Sequence, residues 1–256
     1  MWNRKKTKMK QILNAFLFAL SYFSIIPVFV KNMEINNETY KYTLALLPLV
    51  GAILASLVIG LNFGLNEFFN PLYSAFVCSV VYLALYGFIH TEAIIDVVDA
   101  WFASYSGKDA YKIMKESTIG AIGALYGFSF VLLKVGIITY VLYEKQYILF
   151  LIVCIFSRLN LIYLLGYFKF SKDSFLSLAF ANSGIFQLKI FALIYVIIAF
   201  MIGVNVLVLF VLSLASFYII LKILNNKFGF VNGDCLGFTL EHTELILLNI
   251  GLAIIL

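Results

Sequence analysis

Charge is scarce in this 256-residue chain. Only 12% of its residues are Asp, Glu, Lys or Arg, against about a quarter in an ordinary soluble domain. A soluble domain of this length must still cover its surface with polar groups. A chain that is 63% hydrophobic, with a mean hydropathy of +1.02, is therefore excluded from that class. Proline is rarer still, at three residues, and with sixteen glycines this excludes Pro/Gly-rich disordered and fibrous chains. The three cysteines, Cys78, Cys154 and Cys235, fit neither a zinc site nor a disulfide framework by spacing. Cys78 and Cys154 lie inside apolar runs and read as small core hydrophobes. The hydrophobic runs are continuous rather than alternating, which excludes a closed barrel. No small-residue cleavage site follows Val30, and the apolar run from Ile12 is long for a signal-peptide core.

What the chain does have is apolar length. Runs long enough to cross about 30 Å of hydrocarbon occupy 12–30, 43–62, 72–90, 119–142, 147–166, 190–221 and 238–256. The sixth is long enough for a hairpin turning near Gly203 to Asn205. These runs predict an all-α, polytopic bundle embedded in a lipid bilayer, with seven or eight spans in one domain over 1–256. Arg4, Lys5, Lys6, Lys8 and Lys10 make residues 1–10 a basic flank beside the first run, which reads as cytoplasmic. No aromatic-interleaved basic surface follows it, so nucleic acid is not expected as a partner.

Polar residues collect in three connections, His90 to Ser117, 167–189 and 222–237. Counting spans from 119 onward places all three on one face, and its lysines make that face cytoplasmic. The front of the chain disagrees. A cytoplasmic N-terminus followed by three full crossings would put His90 outside.

Ionisable groups at membrane depth are costly, so each is a functional candidate. Glu92, Asp96 and Asp99 are spaced i, i+4 and i+7, which stacks three carboxylates on one helical face. Such a face repels itself unless a cation neutralises it, and carboxylate oxygens suit Mg²⁺, Mn²⁺ or Ca²⁺ rather than zinc. A solvated polar face has the same spacing. A second acidic set, Asp234, Glu241 and Glu244, opens the last run, with Gly233 and Gly237 permitting close approach. Two acidic faces could form a metal clamp; charges gathered at a helix end are the plainer reading. In Met114 to Gly123, Ser117 and Thr118 are positioned as a cap before small residues, and Lys115 lies beside them. A helix so opened can receive a phosphate, or simply pack through its glycines. His90 has nearby carboxylates as partners, as ligand, base or hydrogen-bonding group. His242 reads as structural. Arg158 interrupts the fifth run and should pair inside the bundle with an acid or an anionic ligand.

Read together, these segments resemble the cobalamin synthase family, the adenosylcobinamide-GDP ribazoletransferases. The family's L-H-L-D-G-L-A-D-T-A-D-G is similar to Ile89 through Ala100, its M-K-D-S-R-I-G-x-x-G to Met114 through Gly123, and its T-G-D-x-L-G-x-x-x-E-x-x-E to Asn232 through Glu244. An early F-x-x-R-L-P-V is matched weakly by Tyr22 through Val28, and P-L-x-G well by Pro48 through Gly51. The chain departs from the pattern at Glu92 and Glu116, where the family has Asp, and at Ala93 and Ala100, where it has Gly. Ile25 and Thr118 stand where the family has arginine, a bidentate phosphate donor.

The resemblance implies a bacterial cytoplasmic-membrane enzyme whose site faces the cytoplasm. A hydroxyl of α-ribazole, or of its 5′-phosphate, attacks the cobinamide-side phosphorus of adenosylcobinamide-GDP, and GMP leaves. It implies Mg²⁺ held by Glu92, Asp96, Asp99 and Asp234, with Glu241 and Glu244 supporting. Lys115, Ser117, Thr118, Gly120 and Gly233 would bind substrate. His90, Asp96, Asp99, Lys115 and Asp234 would carry the chemistry, with His90 or one carboxylate taking the hydroxyl proton. The sequence leaves a homo-oligomer open. Two other classes also stay open: a transporter whose acids bind a cation, against which no inverted repeat is visible, and a prenyl or CDP-alcohol transferase.

Overall fold

In lipid the backbone must satisfy its own hydrogen bonds, so continuous apolar runs become helices. The computed structural model describes residues 2–28, 36–171, 185–202 and 204–255. They form α1 (Trp2–Phe23), α2 (Asn37–Asn66), α3 (Pro71–Leu85), α4 (Ile89–Ser104), α5 (Ala110–Ile113), α6 (Ala121–Tyr143), α7 (Tyr147–Leu164), α8 (Ile185–Ile202), α9 (Val204–Phe228) and α10 (Gly233–Ile255). A 3₁₀ turn, Leu165–Tyr167, follows α7. Among the described residues the one extended pairing is an isolated bridge between Phe170 and Val231.

The helix starts follow local chemistry. Asn36 and Thr39 form a capping box at α2. Asn70 caps α3, with Pro71 at its first position. Asn232 caps α10 by accepting from the Cys235 amide at 2.9 Å. α7 is the axis of the bundle and packs against α2, α6, α8, α9 and α10. Gly51 of α2 makes one such approach possible: a Cβ there would run into the Cys154 carbonyl and the Arg158 side chain. Outward faces carry exposed Leu132, Leu133, Ile197, Ile198, Ile219 and Ile223, a surface suited to lipid rather than water.

Among the described residues four helical stretches are long and apolar enough to cross a membrane: Glu38–Asn66, Ala121–Tyr143, Tyr147–Tyr167 and Asn205–Phe228. α3 and α4 qualify only together, as a pair bent by 74°, which makes five. Fewer stretches qualify than the seven or eight expected. The 72–90 run is broken, α1 ends at Phe23, and α10 carries Asp234, Glu241 and Glu244 within its length. The turn expected near Gly203 falls partly outside the described residues.

The bend joins α3 and α4 into one crossing and leaves the number of crossings before the polar connections as it was. Gly87 (φ 66°) and Phe88 (φ 54°) are consecutive left-handed residues; for Phe88 this costs about 1–2 kcal/mol. The Ile25 amide donates to the Leu85 carbonyl at 2.8 Å and ties the bend to the segment after α1. Below the bend, the Ser79 and Thr139 hydroxyls lie 3.0 Å apart. Above it, Ile95 packs on Gly127 and Asp99 reaches the start of α6. The pair thus runs antiparallel to α6 as one crossing, and Asp96 and Asp99 end up beside the other polar connections. The Ser171 amide donates to the Val231 carbonyl at 3.0 Å, and the Tyr111 and Phe230 rings lie 5.5 Å apart. Lys227 sits 3.6 Å over the Tyr105 ring. All three polar connections therefore meet at one end of the bundle.

Candidate active site

At that end a cavity of about 290 Å³ opens between α4, α7 and α10. His90 and Ala93 line it from α4, Arg158 from α7, and Asp234 and Gly237 from the start of α10, with Lys115 at its edge. Tyr22, Phe23 and Tyr111 give it aromatic walls. Glycine makes the α4–α10 contact: a Cβ on Gly237 would stand 2.9 Å from the Ala93 Cβ and 3.2 Å from His90 Nδ1. Small residues at both 93 and 237 let two helices approach closely enough for His90 and Asp234 to share one space.

The mouth is acidic. Asp96 lies within the fields of Asp234, Glu92 and Asp99, opposed by Lys115. Lys115 Nζ is 3.5 Å from Asp234 Oδ2 and more than half exposed, a geometry of little energetic worth that leaves it available to an anion. Asn232 Nδ2 donates to Asp234 Oδ2 at 2.8 Å and fixes that carboxylate. Oxygen donors of this kind suit a hard divalent cation. Among the described residues no three acidic, His or Cys side chains converge closely enough to enclose an ion. Mg²⁺ usually keeps several waters and takes one or two carboxylates plus substrate phosphates. Asp96 and Asp234, with Glu92 beside them, therefore fit an ion that arrives with a phosphorylated ligand.

Asp99 is spent elsewhere. Its two oxygens accept from the amides of Gly120 (2.6 Å) and Gly123 (2.9 Å), which caps α6 from a neighbouring helix. A Cβ on either glycine would overlap that carboxylate. One expectation is corrected here. Ser117 and Thr118 do not cap α6; they lie exposed in the preceding loop, Thr118 Oγ1 3.5 Å from Glu116 Oε2. The α6 amides at Gly120 and Gly123 face the chain's own Asp99 and not a phosphate.

Glu241 and Glu244 lie deeper. Both are buried in a closed ionic cluster below the cavity. Lys134 Nζ is 2.6 Å from Glu244 and 3.1 Å from Glu241, and Arg158 Nη1 is 2.5 Å from Glu244. Tyr82 and Ser157 also donate to Glu244, and Tyr86 to Glu241. Two acids offset two bases, which is how buried charge is tolerated. Glu241 Oε1 is left without a hydrogen-bond partner among the described residues.

A family model for cobalamin-5-phosphate synthase matches residues 15–252. The chain belongs to that family. A curated relative from Thermodesulfovibrio yellowstonii, an adenosylcobinamide-GDP ribazoletransferase, is 29% identical over 93% of this chain and 95% of its own. One of the same name from Treponema denticola is 29% identical over 93% and 96%. A third, from Clostridium perfringens, is 30% identical over 94% and 100%. No solved structure matches this chain.

Within this cobalamin-5-phosphate synthase family member, three sequence motifs contribute to the cavity lining, through His90, through Lys115, and through Asn232, Gly233, Asp234 and Gly237, while Asp96 stands outside that lining. His242 is structural, its Nδ1 2.8 Å from the Phe238 carbonyl and its Nε2 2.8 Å from Tyr126 Oη. Sequence reasoning passed over Lys134, Tyr82 and Tyr86. For Lys134 the signal was present, since a lone lysine inside an apolar span demands a partner. The tyrosines gave none.

Proposed function

We propose that this multi-pass membrane protein acts at this cavity as an adenosylcobinamide-GDP ribazoletransferase. It joins adenosylcobinamide-GDP to α-ribazole, or its 5′-phosphate, and releases GMP. The observation that carries the reading is the cavity itself, where Lys115, His90 and an acidic mouth meet in a member of this family. Its volume takes a diphosphate and a sugar, with the bulk of a large donor remaining outside.

A hydroxyl oxygen of the acceptor forms a bond to the cobinamide-side phosphorus as the bond from that phosphorus to the GMP oxygen breaks. Such transfer depends on positioning and charge more than on covalent help. Lys115 offers its ammonium to the diphosphate and to the departing GMP. His90, on the α4 wall, accepts the hydroxyl proton. Gly233, with open space where a Cβ would stand, leaves room for substrate at the α10 start. Asp96 and Asp234, with Glu92 beside them, would hold Mg²⁺, which would supply neutralisation of phosphate charge. Asp99 acts by fixing α6 and the Lys115 loop before it. Lys108, Lys112, Lys115, Lys169 and Lys227 surround this end of the bundle, which supports a cytoplasmic face on a bacterial inner membrane.

The test is turnover by purified protein in liposomes. Metal-dependent GMP release with formation of cobalamin or its phosphate is expected, and chelation should abolish it. Well-folded protein that forms no product with either acceptor would sink the reading.

A further inference from the structure

Arg158 stands out because the chain uses so little arginine. Its eighteen basic residues include two arginines, Arg4 in the N-terminal flank and Arg158. Arg158 is 5% exposed, yet it lines the cavity. All its hydrogen bonds to described residues leave from one nitrogen. Nη1 donates to the Cys154 carbonyl (3.0 Å), to Ser157 Oγ (3.0 Å) and to Glu244 (2.5 Å). Nε and Nη2, which form the opposite edge of the guanidinium, have no acceptor among the described residues. Neither nitrogen is among the buried atoms left without a partner, so this edge is open to the cavity that Arg158 lines. The edge presents two parallel N–H groups, the fork that matches a phosphate. Gly51 lets the side chain lie flat against α2, since a Cβ there would strike Arg158 Cδ.

We propose that Arg158 is the phosphate-binding residue of the cavity floor. Glu244, Ser157 and the Cys154 carbonyl hold its inner edge so that Nε and Nη2 clamp one phosphoryl group of a substrate. The role is specific to arginine, since lysine would satisfy Glu244 without offering a fork. It gives the buried cluster a purpose: Lys134 and Glu241 complete the charge balance that lets Glu244 hold a guanidinium at this depth. The proposal rests on the transferase reading for its substrates, which supply two phosphoryl sources, the diphosphate of the donor and the terminal phosphate of the acceptor.

The experiment compares wild type with Arg158→Lys, full chains in liposomes, using acceptor with and without its 5′-phosphate. Loss of one bidentate contact should raise a KM by about tenfold or more, with kcat changed far less. A rise confined to the phosphorylated acceptor assigns the acceptor phosphate. A rise in the donor KM with either acceptor assigns the diphosphate. Unchanged KM values for all substrates overturn the proposal. If wild type turns over neither acceptor, the transferase reading fails by itself. Thermal stabilisation by pyrophosphate then decides Arg158: stabilisation of wild type lost in Arg158→Lys supports the clamp, and equal or absent stabilisation overturns it. Should Arg158→Lys not fold, phenylglyoxal labelling of wild type with Arg4 as reference serves instead. Protection of Arg158 by pyrophosphate supports the clamp. Labelling without protection, or no access for this small reagent, overturns it.

Discussion

Replacing Asp99 with alanine separates a metal ligand from a helix cap. In the structure its carboxylate accepts two amide hydrogens, at 2.6 Å from Gly120 and 2.9 Å from Gly123. Alanine strands both donors at the first turn of α6, and Gly123 is buried. Each unmade bond to a charged acceptor costs roughly 1.5–3 kcal/mol when buried, and a lost cap about 1 kcal/mol. These figures describe overlapping effects and do not add; Gly120 is also partly solvated, so Asp99→Ala should cost about 3 kcal/mol. Asp99→Asn retains one acceptor and should cost about half of that. At roughly 2–4 °C per kcal/mol for a chain of this size, the alanine variant should melt on the order of 10 °C lower. The assay is thermal unfolding in detergent, followed by tryptophan fluorescence, beside Mg²⁺-dependent turnover. Gly123→Ala adds a check, because its Cβ overlaps the Asp99 carboxylate. It should be destabilising in wild type and nearly harmless once Asp99 is alanine, a coupling a double-mutant cycle reads directly. Unchanged melting of Asp99→Ala, together with loss of Mg²⁺-dependent turnover, would refute the capping argument and assign Asp99 to the metal.

Two further predictions concern the cluster and the α4–α10 contact. Lys134→Met leaves two buried carboxylates facing one guanidinium and should cost about 3–5 kcal/mol, read as loss of folded protein on size exclusion; a normally stable variant would show that Glu241 is held neutral by other means. Gly237→Ala places a methyl 2.9 Å from the Ala93 Cβ and forces α4 and α10 apart. Turnover should fall by about tenfold for a shift near 1 Å at the site, with a much smaller change in melting temperature, and unaltered kcat/KM would show that their spacing does not set the site.

The sequence by itself determined the solvent of this protein and the ingredients of its site. Continuous apolar runs with few charges dictate helices in lipid, because neither a soluble surface nor an alternating barrel can be made from them. Motif order brought His90, Asp96, Lys115 and Asp234 under suspicion together, and the three polar connections were legible as one face. What each acid does was decided by tertiary contacts. Spacing puts Asp99 on the same helical face as Asp96, but only the approach of α6 offers Asp99 two amides. Glu241 and Glu244 keep the family's register, yet their partners Lys134 and Arg158 come from other helices far away in sequence. The bend at Gly87 and Phe88 was equally hidden. A phenylalanine in a left-handed conformation has no local signature, since its strain is borne by packing around it. Periodicity records which way a side chain points along its own helix. Which partner waits there, a metal, an amide or a buried lysine, depends on how the helices are packed together.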